Sequence, residues 1–434
     1  MIIKSNNNVD YEPQVLPKLE SVSSEYKMHF TAPIDPKMID SGTIKMVFID
    51  QSPLGRSDLV YYIAKNKLLN TRELRKEAQD GISIKNSVYL TNLQIFLESI
   101  GHTRLMAKSF AENLILQFPN PEDLVASLQK KDARLQAYFN YSQRKIGENN
   151  PELQRLLDSS LHLAVNYAFA PHISLHGQSP VITKRADTNL DKKIRQQKYP
   201  FKQSLELALQ VLKGFRDLHA AHYVHGDPKP ENLLVYNNGE NPIVKIADWG
   251  KCKKMRDEDT AYYLGNHRFM PPERLNSQTG EVFGIGMVLV RILEEEFLDT
   301  PHAMLIAPDR QRKAVKHPLK GETNEMKARK GIERFVVLSK DFPSQDYHDA
   351  FKHTYGSFTT WALGSHKNTD PHVHKYLYTL QERLNAKYGN TQMKKKAIEG
   401  IIQVLSDMMH SNVDDRISME EAVPRFETLI RSFH

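Results

Sequence analysis

The chain has 434 residues, 40% of them hydrophobic and 26% charged, with a formal net charge of +7 and an isoelectric point near 9.0. No apolar run approaches the roughly 18 residues of a membrane span, and the opening MIIKSNNNVD lacks the apolar core and cleavage site of a secretory leader, so we expect neither. The positive excess suits an anionic ligand but is too dispersed for a nucleic-acid surface; zinc-ligand spacings, RNP-like motifs and basic zippers are missing, and the one cysteine, Cys252, excludes an internal disulfide and fits a reducing, cytoplasmic compartment.

In chain order, residues 1–40 are polar and proline-bearing, with a short strand expected at Tyr26–Thr31, and read as an extension. GTIKMVFIDQ (42–51) and DLVYYIAKNK (58–67) read as strands joined by the turn chemistry of SPLGRS, the edge of an antiparallel sheet. From about 71 to 169 apolar residues recur at helical spacing, in LTNLQIFLESI, AKSFAENLILQF, PEDLVASLQKK and PELQRLLDSSLHLAV. HISLHG and PVITKR return to strand. SLELALQVLKGFRDLH (204–219) is an amphipathic helix with Leu205, Ala208, Leu209, Leu212 and Phe215 on one face. LLVY and VKIAD follow as strands joined through NNGEN, whose Asn-Gly favours a hairpin. Residues 274–434 read as mainly helical with a long charged connection, and no repeat of solenoid period occurs.

The stretch HGDPKPENLL (225–234) gathers a carboxylate, an ammonium and a carboxamide in Asp227, Lys229 and Asn232. Phosphoryl transfer from a magnesium–nucleotide complex needs oxygen ligands for the metal, a cation for the moving group and a carboxylate for the proton of the nucleophile. Asp248 opens a second loop, DWGK, which the intervening hairpin would fold back over the first. A capped polar turn is the bland alternative for the first loop taken alone.

The stretch resembles the protein-kinase catalytic loop His-Arg-Asp-Leu-Lys-Pro-Glu-Asn, with glycine for arginine and proline for leucine. KIADWG resembles the strand leading to Asp-Phe-Gly, with Trp249 for phenylalanine. GNHRFMPPER (265–274) is similar to the end of an activation segment, EVFGIGMVLVRIL (281–293) to the buried helix that follows it, with Glu281 where aspartate is usual, and LSDMMHSNVDDRISMEEAV (405–423) to the last kinase segment, whose Arg416 would pair with Glu273. The motifs occur in order and cover about 175–298 and 398–430.

The resemblance implies an α+β, two-lobed protein-kinase-like fold. An extension (1–40) would precede a divergent small lobe (41–183) with a helical insertion at about 80–150, and a large lobe (184–434) with a charged insertion at about 299–395. It implies ATP and Mg2+ (or Mn2+) as cofactors. Asp227 would be the catalytic base and Lys229 would sit on the γ-phosphate. Asn232 and Asp248 would hold the metal and through it the nucleotide, and His225 would brace the loop containing Asp248. YYIAK makes Lys65 the candidate for the α- and β-phosphates, with Lys108 as rival in a helical neighbourhood and Glu77, Glu98 or Glu152 as carboxylate partner. Aligned on Val47, the phosphate-cradling glycine positions hold Asp40, Gly42 and Lys45, so Gly42 alone keeps the pattern.

The departures carry their own expectations. Gly226 removes the arginine that docks a phosphorylated activation segment, so activity is expected not to require phosphorylation there, although Thr260, Tyr262 and Tyr263 are present. Asn266 stands where serine/threonine kinases carry threonine, and Lys229 matches the serine/threonine pattern. Two alternatives stay open. HGD with DW resembles small-molecule phosphotransferases of the aminoglycoside and choline kinase kind, and the degenerate glycine loop suits a pseudokinase acting as a binding module. The segment 309–334 holds nine basic and four acidic residues; it reads as a solvated loop or as a site for a polyanion or an acidic lipid. Lys251, Lys253 and Lys254 could lower the pKa of Cys252, but a plain, modestly exposed thiol is the favoured reading. His172, His219 and His222 show no ligand spacing and read as structural. The divergent small lobe resembles those of bacterial effector kinases delivered into host cells, such as those of Legionella.

Overall fold

A computed structural model describes residues 36–41, 45–50, 59–64, 67–139, 150–159, 161–164, 168–169, 181–196, 199–237, 241–255, 261–262, 265, 269, 271, 273, 275–293, 370–410 and 412–433. The chain divides into two compact units, 1–79 with 165–185 and 80–164 with 186–434.

The first unit is built on an antiparallel sheet in the order β1-β2-β3-β5-β4, from β1 (Pro36–Ser41), β2 (Lys45–Asp50), β3 (Leu59–Ala64), β4 (Ala168–Phe169) and β5 (Val181–Lys184). β2 and β3 fall inside the two strands expected from sequence. β1 begins within the segment read as an extension. Its register slips between Met38 and Asp40, an irregularity that places Asp40 opposite Val47, and this bulge hides the alternation a regular strand would show. The expected strands at Tyr26–Thr31 and HISLHG lie outside the described residues.

Helix α1 (Lys67–Ser99) follows β3. Its opening, 67–79, groups with the sheet, where Leu74 and Ala78 pack with Val181 and Tyr62. Its remainder groups with the second unit together with α2 (Arg104–Gln117), α3 (Pro121–Gln129) and α4 (Pro151–Asp158). These helices share a core that includes Phe96, Leu97, Leu114, Leu124 and Leu156. The helical stretch expected as an insertion in the smaller lobe therefore packs with the larger unit. Apolar spacing announces a helix's buried face but not the partner that face will find.

Arg155 explains how that stretch is held. Its guanidinium is buried, donates to Asn92 of α1 (2.9 Å), lies 3.3 Å from Asp217, and forms a two-pronged pair with Glu420 (2.7 and 3.1 Å). Helical periodicity carries the reading of α4 on to Val165, but the helix stops at Asp158. His162 and Ala164 instead exchange backbone hydrogen bonds with Ile246 (2.8 and 2.7 Å), because pairing to a strand satisfies the same groups.

The rest of the second unit surrounds α6 (Phe201–Ala220), which follows β6 (Thr188–Asn189) and α5 (Leu190–Gln196). Leu205, Ala208, Leu212 and Phe215 are buried as expected, with Leu209 only partly so; Leu207, Val211 and Leu218 are buried too. The helix is covered on more than one side, by β9 (Ile243–Ile246), α7 (Gln278–Leu293) and α10 (Met419–Ile430). α8 (Asp370–Tyr388) and α9 (Gln392–Met408) complete the helical layer, and a capping box between Ser418 and Glu421 starts α10. The charged connection and its basic segment 309–334 lie outside the described residues. Among the described residues no helix is long and apolar enough to cross a membrane.

Two outcomes follow. Arg155→Met should lower stability by about 2 kcal/mol, since it strips the buried Asn92 of its guanidinium partner and leaves Asp217 with Arg216 alone (2.8 Å), measured as a lower urea midpoint at constant slope. Burial pushes the pKa of His162 down to about 4 from 6.5. The unfolded chain then takes up the proton first, so the contribution is fully present above about pH 6.5 and is lost as the pH falls towards 4, by up to about 3 kcal/mol. His162→Gln should flatten that limb of the stability–pH curve.

Candidate active site

The site lies on the segment after α6. Strand β7 (Tyr223–Val224) delivers His225, and the loop 225–229 runs into a single 3-10 turn, Pro230–Asn232, before β8 (Leu233–Tyr236). β8 pairs antiparallel with β9, with Leu233 opposite Ile246, so the hairpin expected from Asn-Gly forms and returns the chain to the start of the loop. It exits at Asp248, whose φ of 71° is left-handed. A residue with a Cβ takes that conformation at a cost of roughly 1 kcal/mol, so the surroundings must impose it.

They do so through Ala247. Its N–H donates to Asn232 O (2.9 Å) and its carbonyl lies 2.9 Å from His225 Nε2. Both hydrogen-bonding groups of the residue before Asp248 are thus held by the loop that carries Asp227, and His225 braces it as expected. Asn232 is buried and donates its amide to Asp227 O (3.0 Å). That commits Nδ2 and leaves the carbonyl oxygen as the end suited to a cation. Asp227 is buried, and its Oδ2 receives Lys229 Nζ at 2.7 Å and Lys251 Nζ at 3.0 Å.

Glu281 underlies the loop. Its buried carboxylate accepts the backbone N–H of His225 (3.1 Å) and of Gly226 (2.8 Å), and Oε2 lies 2.8 Å from His219 Nε2. Sequence reading noted only that Glu281 replaces aspartate, yet it is what fixes the loop backbone. Lys251 was also missed as a partner of Asp227, although it lies three residues after Asp248 in the DWGK motif. A third missed pairing involves Trp249. It is buried, donates Nε1–H to Ala164 O (2.7 Å), and lies so close to Gly81 of α1 that a Cβ there would sit 2.8 Å from its ring.

Farther out, Arg416 forms the expected pair with Glu273, two-pronged at 2.7 and 2.8 Å, and also donates to the carbonyls of Thr279 (3.1 Å) and His410 (2.6 Å). Cys252 is a plain thiol, as the sequence reading favours. Burial, reinforced by the carboxylates of Glu281 and Asp80, pushes its thiol well above the usual range, so its neighbouring lysines do not activate it.

Lys65, Gly42, Thr260, Tyr263 and Asn266 lie outside the described residues, and Tyr262 is described only as part of β11 (Ala261–Tyr262). Lys108 is an exposed residue of α2. Of the carboxylates weighed for Lys65, Glu98 is exposed and accepts Gln94 (2.8 Å), and Glu152 belongs to α4; both group with the second unit, whereas Glu77 groups with the sheet.

Among the described residues no group of three or more His, Cys, Asp or Glu gathers to hold a metal ion. A sparse pair of hard oxygen ligands such as Asn232 and Asp248 fits magnesium, which retains water and takes phosphate oxygens rather than a full protein cage.

Gly226 also finds its reason here. Its φ is 79°, and an added Cβ would stand 2.9 Å from the carbonyl oxygen of Lys251 and 3.1 Å from Asn276 Nδ2. Gly226→Ala should therefore lose about 2 kcal/mol of stability, from left-handed backbone strain and the contact together. A melting temperature equal to that of the parent chain would refute this.

Comparison with known proteins places the chain in a family. The model of the protein kinase domain matches residues 179–425. A mitogen-activated protein kinase kinase 9 of Arabidopsis thaliana is 37% identical over 101 residues, covering 21% of this chain and 32% of the relative. An Aurora kinase of Dictyostelium discoideum is 33% identical over 89 residues, covering 20% and 22%. A mitogen-activated protein kinase p38b of Drosophila melanogaster is 28% identical over 117 residues, covering 26% and 31%. The chain spans about a third or less of the length of these relatives. With the family model covering more than half of its residues, the chain belongs to the protein kinase family.

Proposed function

We propose that this protein kinase transfers the γ-phosphoryl group of magnesium-bound ATP to a serine or threonine hydroxyl of a protein, within a two-lobed architecture, without requiring a phosphorylated activation segment. The observation that carries the reading is the hold on Ala247, which ties Asp248 to the loop of Asp227 and Asn232.

Asp227 is assigned as the base that orients the acceptor hydroxyl and takes its proton. Lys229 turns to the transferring group, and Asn232 and Asp248 would hold through their oxygens the magnesium whose charge would offset that developing on the phosphates. Catalysis rests on positioning and on preorganised charge. Lys65, with Glu77 as its partner, is assigned to the α- and β-phosphates, and Gly42 to the close backbone approach.

Gly226 supports independence from segment phosphorylation, because the position that would carry a docking arginine is filled by the backbone of Lys251. The same contact accounts for the glycine without invoking kinship to small-molecule kinases. The Glu273–Arg416 pair and Lys229 further favour a protein acceptor.

Asp227→Ala should reduce transfer from radiolabelled ATP to dephosphorylated casein by about a hundredfold or more at an unchanged melting temperature. Asp248→Ala should abolish the magnesium-dependent rise in melting temperature that ATP produces. Transfer retained by either variant would break the assignment.

A further inference from the structure

We propose that Lys251 is a positioning residue for the acceptor side of the reaction: it keeps a cation on Asp227 when Lys229 turns to the phosphate. This rests on the assignment of Asp227 and Lys229 just made.

In that assignment Lys229 has two tasks. Its ammonium lies 2.7 Å from Asp227 Oδ2, yet it is also the cation for the transferring group. An ammonium drawn towards phosphate loosens its hold on the carboxylate, and a buried carboxylate that loses its cation is strongly destabilised in that geometry. Lys251 Nζ sits 3.0 Å from the same oxygen. It can hold Oδ2 in place throughout, so that the carboxylate does not swing after Lys229.

An exposed lysine pairing with a carboxylate ordinarily contributes little, because its side chain must be ordered and water screens it. Lys251 is 42% exposed at its side chain, so its importance depends on how firmly its backbone is placed. It ends the 3-10 turn Trp249–Lys251, closed by Cys252 N–H on Trp249 O (3.0 Å). On one side the turn is anchored by Trp249, which is buried and tied to Ala164. On the other, β10 (Lys253–Lys254) pairs with β7, Lys253 opposite Val224 and Lys254 opposite Tyr223. Between these anchors the carbonyl and Cβ of Lys251 pack against Gly226, 2.9 and 3.4 Å from where a Cβ there would stand. The residue next to the carboxylate thus has no side chain, and the space admits the segment that carries the second cation. Among the described residues the charged groups around the carboxylate include Lys229 and Lys251 beside Oδ2, with His225 Nδ1 on the Asp227 N–H (3.3 Å) and Glu281 beneath the loop amides.

The test uses the full chain, ATP and dephosphorylated casein. Lys251→Met should lower kcat about tenfold to a hundredfold, with KM for ATP within about twofold of the parent and an unchanged melting temperature; Lys251→Arg should restore most of the rate. Lys253→Met, which removes an exposed neighbouring ammonium, should leave kcat unchanged. A Lys251→Met variant with the parent's kcat overturns the proposal, as does a rate loss matched by Lys253→Met or left unrescued by arginine. A rise in KM for ATP equal to the loss in kcat also overturns it, since that assigns Lys251 to the nucleotide. The underlying reading fails separately, and this inference with it, if Asp227→Ala transfers phosphate as well as the parent.

Discussion

The site depends first on one buried carboxylate. Glu281 takes the backbone N–H groups of His225 and Gly226 and lies against His219. A loop that must present its side chains to a substrate has backbone donors that no regular ladder can satisfy, and buried donors without partners cost about 1–3 kcal/mol each. A charged acceptor on the first turn of α7 meets that need, and because α7 is packed into the core its position is rigid. The loop is therefore preorganised from below, and the side chains of Asp227, Lys229 and Asn232 project from a backbone with little freedom.

A second constraint works from the side. Trp249 replaces a smaller aromatic residue of the family pattern, and its extra volume is absorbed by Gly81. Glycine in a helix interior costs roughly 1 kcal/mol relative to alanine, so its presence in α1 follows from the ring against it. The indole N–H is satisfied by Ala164, at the end of the strand-like segment that follows α4. One side chain thus joins α1, the segment after α4 and the turn carrying Lys251. Arg155 joins α1 and α4 to α6 and α10. The helical stretch 80–164 is thereby built into the larger unit from several directions.

Much of this was legible in the sequence, for identifiable reasons. Asp227, Lys229, Asn232 and Asp248 could be found because loops that handle phosphate draw on few residue types at short range, and Arg416 and Glu273 because their motifs lie in order. The hairpin of β8 and β9 could be read from Asn-Gly alone. What the sequence hid was long-range. Nothing in the periodicity of α1 says that its face will meet Trp249, 168 positions later than Gly81 in the numbering, or that α4 must stop so that His162 and Ala164 can pair with Ile246. β1 was hidden by its irregular register. The lysines beside Cys252 do not activate its thiol, because desolvation acts on the thiolate directly while exposed lysines are screened by water.

Gly226 shows how one departure from a family pattern can change meaning once its surroundings are known. As a letter it records a missing arginine, and a missing arginine suggests either a kinase freed from one form of control or an enzyme of another kind. In the fold it is the place where two loops touch. Its left-handed backbone and absent side chain let the carbonyl of Lys251 approach, and with it comes an ammonium within 3.0 Å of Asp227. An arginine at 226 would have to displace the turn that ends in Lys251, so the two cannot coexist in this arrangement. The glycine and the second lysine are therefore best understood as one feature.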